Sequence, residues 1–485
     1  MGGWDELCVL TGIRPLGGPR ILTTEVDLTA TAMAEEISRN SSTNITELRS
    51  TLKDALTLCS RSAMDQNHWW PDGFGDGGFF DTAIAIGYFG QFGDCNAIYW
   101  DEGRPRAAGG RGVELRRVRS SNGYGGFNIL LPLNEASGTA SPWYNNIVRE
   151  STSCTSRDRK PNFFVLEGPY RYLEAWIDRG SLPVRSLAFP QDSNDMGFAS
   201  ELYEIINSRL QGRVEYDWHE PRVAGYLPGI EYDGIEASES GYQDTFYGTR
   251  KGSHWTGLAI SRGLQGKELV PYLIKDFKAW ICMRPDLWPS PPTTFTSPFV
   301  ILKGAWALTN LHNLPQDVLL QIFALLQLSD IMNLSSTSKG MRLLITNPGM
   351  LSAILRWEVL NPHGQLRWIL PVAAFPKEVE QAEKIAQEWL TSSYTLHYNQ
   401  NPTTSTSLMS AFQNQAFPYY AFIPTYLTVN TSNESFSMSS RRRLWKQVQQ
   451  FQNLWLEYRT NGWDTDIFPA FNPKTLEQLQ IAGME

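Results

Sequence analysis

The chain has 485 residues, 42 Lys+Arg against 50 Asp+Glu, a net charge of −8 and a pI near 5.5. That length suits about two to four domains, and 42% hydrophobic residues with 17 Trp, 19 Tyr and 23 Phe exclude the aromatic-poor disordered class. The mildly acidic balance also excludes a general binder of nucleic acid or anionic membrane, because the bulk positive field those partners require is missing.

From the N-terminus onward, Met1-Gly2-Gly3-Trp4-Asp5-Glu6 has no basic segment leading into an apolar one, so no secretory signal is expected. Glu6 stands where a myristoylation signal places Ser or Thr. Apolar runs such as Thr82–Gly90 are short and broken by glycine, far from the roughly 18–20 residues of a membrane-spanning helix. Five cysteines (Cys8, Cys59, Cys95, Cys154, Cys282) are scattered without a Cys-x-x-Cys pair, a pattern of reduced thiols and of a cytoplasmic or nuclear protein.

Val26 to Ile37 and Ile45 to Leu58 place apolar side chains at helical spacing. After a turn-rich stretch with four glycines between Pro71 and Gly78, short β-prone runs follow at Thr82–Phe89, Gly112–Val118 and Phe127–Leu131. Helical periodicity returns at Tyr170–Ile177, Phe198–Leu210 and Leu269–Ile281, the last with Leu269, Leu273, Phe277 and Trp280 on one face. Residues 1–284 therefore read as a large N-terminal α+β region. Residues 285–309 open with five prolines up to Pro298 and read as a stiff extended linker. A helical module over 310–360 follows, then a mainly helical region, 361–485, with a polar loop near 391–415. The fold class is α+β.

The module carries the functional argument. Pro315 suits a first helical position and Asp317 the positive end of the helix dipole. Val318, Leu319, Ile322, Phe323, Leu325 and Leu326 then cover more than one stripe of that helix. Ser329-Asp330 reads as the cap of a second helix, a third begins near Ser338, and Asn347-Pro348 starts a fourth bearing Leu351, Ile354, Leu355 and Val359. Three helices in so short a span cannot enclose all these side chains, so flanking chain or a partner must cover some of them.

Leu314-Pro315, Asp317, Leu319, Ile322-Phe323, Leu326, Leu328, Asp330, Leu334, Ser338-Lys339 and Arg342 together resemble the F-box family. The pattern departs at its end, where Met341 stands at or near a position the family often fills with Trp. The resemblance implies a small three-helix fold that binds the Skp adaptor of cullin–RING ubiquitin ligases, while the rest of the chain presents a protein target. It carries adaptor contact onto Leu314, Pro315, Val318, Leu319, Ile322, Leu326, Leu334 and Arg342. The long N-terminal region and the tail also look like those of large fungal F-box proteins. Such proteins often begin with Cys-x-x-Cys-Gly; here Cys8 to Gly12 keeps only the first thiol, so no metal knuckle is expected.

Further along, Leu444, Val448, Phe451, Trp455 and Tyr458 form an amphipathic stripe that reads as core, with Arg441–Arg443 as its solvated shoulder. Enzymatic signals are weak. The six histidines are dispersed, His219-Glu220 lacks a second His four residues on, and Gly73–Gly78 is not followed by Lys-Ser/Thr as a phosphate loop requires. The arginines between Arg104 and Arg119 and the acids between Glu231 and Asp244 read as solvated charge, or as patches for a protein target. The expectation is a non-catalytic adaptor with no cofactor, no metal, no nucleic acid and no membrane partner. A ligand-binding or enzymatic N-terminal domain with a regulatory F-box, and a Skp-bound scaffold without a ligase, are the alternatives.

Overall fold

A computed structural model describes residues 8–13, 26–39, 44–58, 82–87, 98–101, 104–107, 114–120, 130–132, 163–177, 201–203, 205–206, 227, 229–232, 253–288, 314–361, 364–396, 410–428 and 436–461. Among the described residues the chain is helix-rich with few strands. Residues 1–282 with 446–485 form one compact unit, and residues 283–445 form another.

In the first unit, α1 (Val26–Ser38) buries Val26, Thr29, Ala30, Met33, Ala34 and Ile37, a stripe at three- and four-residue steps. It packs against α2 (Ile45–Leu58), which buries Leu48, Leu52, Ala55 and Leu56. Both helices fall where the apolar spacing places them. An exposed Lys53–Asp27 ion pair of 2.9 Å joins them, and the Lys53 ammonium holds the Asp27 carboxyl below its ordinary range.

Four strands, β1 (Thr82–Gly87), β4 (Glu114–Ser120), β5 (Leu130–Pro132) and β6 (Phe163–Leu166), form an antiparallel sheet in the order β5-β4-β1-β6. β2 (Ile98–Asp101) and β3 (Arg104–Ala107) make a separate two-stranded ribbon. In the central strand Ile86 pairs with Leu115 on one side and Phe163 on the other. Ala83, Ile84 and Ile86 are all buried there, as an inner strand requires. α3 (Glu167–Trp176) follows β6 without a loop and packs back on β1 and β6, burying Tyr170, Tyr172, Leu173 and Trp176.

Distant segments close this core. The Leu166 amide donates to Cys8 Sγ at 3.3 Å, and burial pushes the Cys8 thiol pKa up. Tyr232 Oη donates to the Val9 carbonyl at 2.5 Å and accepts from the Leu227 amide. Trp455 Nε1 donates to the buried Glu201 carboxylate at 3.0 Å. Gly229, at φ +94°, lies so close to Leu454 that a Cβ would meet its Cδ2 at 2.9 Å.

The helix expected over Leu269–Ile281 is instead broken. A 3-10 turn (Gly266–Leu269) leads into α5 (Val270–Asp276), and a second 3-10 turn (Ala279–Cys282) follows Lys278, which sits at φ 51°. The expected face still points inward, with Leu269, Leu273 and Phe277 buried. The break coincides with a second demand on Asp276. Its carboxylate accepts from the Trp255 and Thr256 amides and the Thr256 hydroxyl, capping the start of α4 (His254–Ser261). Burial raises the Asp276 pKa and these hydrogen bonds oppose that rise.

In the second unit, α6 (Gln316–Phe323), α7 (Leu328–Thr337), α8 (Lys339–Ile345) and α9 (Pro348–Leu360) follow one another through short links. α10 (Pro376–Thr391), a short turn α11 (Ser410–Gln413) and α12 (Tyr419–Thr428) come next. The long α13 (Phe436–Asn461) starts in this unit, and the division between units falls inside it.

Pro285 to Trp288 open the stretch that composition assigns to an extended linker, yet they are packed. The Pro285 carbonyl accepts from Arg441, Arg284 pairs with Asp286 at 2.6 Å, and Trp288 lies among Phe412, Phe422 and Tyr426. An indole gains more from that aromatic neighbourhood than from water. The rest of that linker, 289–309, lies outside the described residues, as do 397–409 of the polar loop. The loop's end does not fit the polar reading, since Ala411 and Phe412 are buried.

The stripe Leu444, Val448, Phe451 and Trp455 is buried as expected, with Tyr458 half-buried. Its shoulder is not what the charges suggested. Arg442 is exposed, but Arg443 is buried and Arg441 is 0% exposed. The Arg441 guanidinium donates to the carbonyls of Trp368, Leu370 and Pro285 and pairs with the fully buried Glu378 carboxylate, which also accepts from Trp288 Nε1. Arginine tolerates such burial because its planar donors find acceptors on several sides at once.

Candidate docking site

The chain enters the helical module through Pro315, whose φ of −53° and ψ of 146° place it at the cap of α6, one residue before the first helical position expected for it. Its carbonyl accepts from the Val318 and Leu319 amides and opens the helix. α7 likewise starts earlier than expected, at Leu328 with Gln327 as its cap, so Ser329 and Asp330 lie in its first turn, where Asp330 suits the dipole. The next two helices start where expected, each capped by a side chain. Ser338 Oγ accepts from the Met341 amide at 3.1 Å, and Asn347 Oδ1 accepts from the Gly349 and Met350 amides, with Pro348 opening α9.

Leu319, Phe323, Ile331, Met341, Ile345, Met350 and Ile354 form one buried cluster, and Leu314, Leu320, Ile322, Leu326, Leu328, Leu334 and Leu344 pack against it half-covered. Met341 thus fills core volume where the motif leads one to expect a Trp. The motif residues separate into two groups by position. Leu319 is enclosed at 1% exposure and supports the module from within, which corrects its reading as a contact residue. At 100° per residue, Leu319 and Phe323 define the inward face of α6. Val318 and Ile322 lie on one flank of that face, Leu320 and Ala324 on the other.

The outer surface keeps the remaining candidates. Val318 is 38% exposed, Pro315 and Arg342 are exposed, and Leu314, Ile322, Leu326 and Leu334 each retain accessible area. Leu325, just past the end of α6, is 86% exposed, and Trp357 on α9 is 48% exposed. Neither was among the expected contacts. The signal for Leu325 was present, because it falls outside the stripe that Leu319 and Phe323 define; Trp357 falls outside the Leu351–Ile354–Leu355–Val359 stripe for the same reason. This arrangement is a shaped apolar surface without a nucleophile–base pair, suited to holding another polypeptide.

Other candidate chemistry is sparse. Among the described residues no group of three or more His, Cys, Asp or Glu side chains could hold a metal ion. No described helix is long and apolar enough to cross a membrane. The Gly73–Gly78 turn and His219 lie outside the described residues. Glu114–Ser120 is a strand close to the β-prone run expected at Gly112–Val118, and Arg104–Ala107 is a further strand within the arginine-rich run.

Against known proteins, residues 311–352 match the family model described as F-box domain. No curated protein and no solved structure matches the chain.

Proposed function

Because the chain is an F-box protein, and the F-box implies binding to the Skp adaptor of SCF-type ubiquitin ligases, we propose that it serves as a non-catalytic substrate receptor. In this reading the flank of α6 bearing Val318 and Ile322, with Pro315, Leu326, Leu334 and Arg342 around it, seats the adaptor and, through it, the cullin. Residues 1–282 and the C-terminal helices hold a protein target, in the cytoplasm or the nucleus. The observation that carries the reading is the exposure of Val318 and Leu325 beside a core that is already complete without them. Apolar side chains that the core does not need gain about 25 cal/mol for each Å² a partner covers.

The test uses full-length protein and purified Skp adaptor. Val318→Asp combined with Leu325→Asp alters exposed positions only, so the melting temperature should stay within a few degrees while adaptor affinity falls at least about tenfold, one desolvated charge being worth more than the roughly 1.4 kcal/mol this requires. Retained co-purification of the double variant with the adaptor would remove this surface from the interface. Purification with proteasome and neddylation inhibited should also recover a cullin and a ubiquitinated target; recovery of the adaptor alone would favour a scaffold outside any ligase.

A further inference from the structure

In the first unit, α4 and α5 meet at a corner where three side chains of unlike chemistry stack. Lys275, in the last turn of α5, places its ammonium 3.2 Å from the centroid of the Trp255 indole, and the His254 ring meets the same indole edge-on at 5.2 Å. The backbone beneath them is fixed from two sides. The Asp276 carboxylate accepts from the Trp255 amide at 3.0 Å and the Thr256 amide at 2.7 Å, and the Glu36 carboxylate accepts from the Ser253 amide at 3.2 Å. The platform is therefore ordered before anything meets it.

The corner still faces outward. Trp255 is 37% exposed and His254 is exposed. Lys275 is half-buried, yet no carboxylate among the described residues stands within ion-pairing distance of it. Both nearby acids are committed to backbone amides, and Asp276 also holds the Thr256 hydroxyl. Desolvation lowers the Lys275 pKa, and the charge of Asp276 opposes that fall. An ammonium seated on an indole keeps N–H donors on its far side that the ring cannot satisfy.

We propose that this corner is a seat for an acidic segment of the target protein: one carboxylate takes the outward donors of Lys275 and the ring N–H of His254, and an apolar side chain beside it in the segment lies on the exposed part of the Trp255 indole. The inference rests on the substrate-receptor reading above and names the chemistry of the target. Charge argues for the occupant, because Lys275 offers a partly dehydrated cation that the described carboxylates of this chain leave unpaired, and a charge-assisted hydrogen bond there is screened less than one in open water. A nucleic acid suits the corner less, since regularly spaced phosphates call for a track of cations and the whole chain carries a net charge of −8.

The experiment titrates the full-length chain into fluorescein-labelled peptides, one alternating Glu with Leu and one alternating Gln with Leu, and follows anisotropy at low and at raised salt. The Glu peptide should bind, and the Gln peptide at least about tenfold more weakly. Lys275→Gln and Trp255→Ala should each weaken the Glu peptide about tenfold, a loss typical of an interface anchor. Lys275→Arg keeps a cation able to stack on the indole and should stay within about twofold of wild type, whereas Lys275→Glu should turn the preference to a peptide alternating Lys with Leu. Raised salt should weaken wild type more than Lys275→Gln. The Lys275 series decides the matter even where Trp255→Ala lowers the melting temperature. If wild type does not bind the Glu peptide, or Lys275→Gln binds it equally well, the seat is refuted. Binding of polyuridylate in place of the peptide, abolished by Lys275→Gln, gives the corner to nucleic acid and overturns the proposal too. The receptor reading fails separately, when purification with proteasome and neddylation inhibited recovers no ubiquitinated target.

Discussion

The two units of this chain build their interiors in different ways. In residues 283–445 the F-box cluster is local: Leu319, Phe323, Ile331, Met341, Ile345, Met350 and Ile354 come from four successive helices. In residues 1–282 and 446–485 the core is stitched from far apart, with Cys8 against Leu166, Val9 against Tyr232 and Glu201 against Trp455. Local cores close short loops at little entropic cost, whereas a core of distant segments forms only when most of the chain has already been ordered. The difference makes the F-box a self-consistent platform within a molecule whose remaining interior depends on long-range closure.

The sharpest way to break this contrast is the buried ion pair of Arg441 and Glu378, a long-range tie inside the second unit. Arg441→Met leaves the Glu378 carboxylate buried without its cation and should destabilise that unit by about 3–5 kcal/mol, as removal of one member of a buried pair does. Adding Glu378→Gln should recover part of the loss. Denaturant unfolding followed by tryptophan fluorescence measures both, and an Arg441→Met chain as stable as wild type would make the tie dispensable. A smaller effect is expected in the first unit, where Trp455→Phe removes a donor to Glu201 and should cost about 1.5–3 kcal/mol, the range for losing a hydrogen bond to a charged group. Unchanged hydrogen exchange around Glu201 would contradict that. The smallest change concerns purely local design: Asn347→Ala removes the cap of α9 and should cost about 0.5–2 kcal/mol. If it costs more than Arg441→Met, the ranking of local against distant contacts is inverted.

The same contrast explains what could be read before the structure. α1, α2 and α9 follow from spacing alone, since Ala30, Met33, Ala34 and Ile37, or Leu351, Ile354, Leu355 and Val359, record burial at helical intervals. The helix starts at Ser338 and Asn347 were legible, and there the capping side chain lies close in sequence to the amides it accepts from. At the docking surface the motif located the helices, but it did not separate Leu319, which faces inward, from Val318, which does not; only the packing of α7, α8 and α9 decides that. Arg441 was read as solvated because acceptors of its protons lie far from it in sequence. Its partners are the distant carbonyls of Pro285, Trp368 and Leu370 and the Glu378 carboxylate. The single helix expected near residue 280 gives way at Lys278, which sits at φ 51°, just past Asp276, whose carboxylate bonds Thr256, 20 residues away.

The final helix has a practical consequence for anyone cutting this protein into pieces. Phe436–Asn461 contributes its early turns to one unit and its later turns to the other. A fragment ending at Trp445 strips Phe451, Leu454 and Trp455 from the remainder and leaves its own last carbonyls without amides to meet. A fragment running on to Asn461 carries those apolar side chains into solvent with no core to receive them. Either cut disturbs a buried part of the last helix, so deletion mapping of partners is expected to report lost folding as lost binding, and point substitutions on the intact chain are the sounder tool.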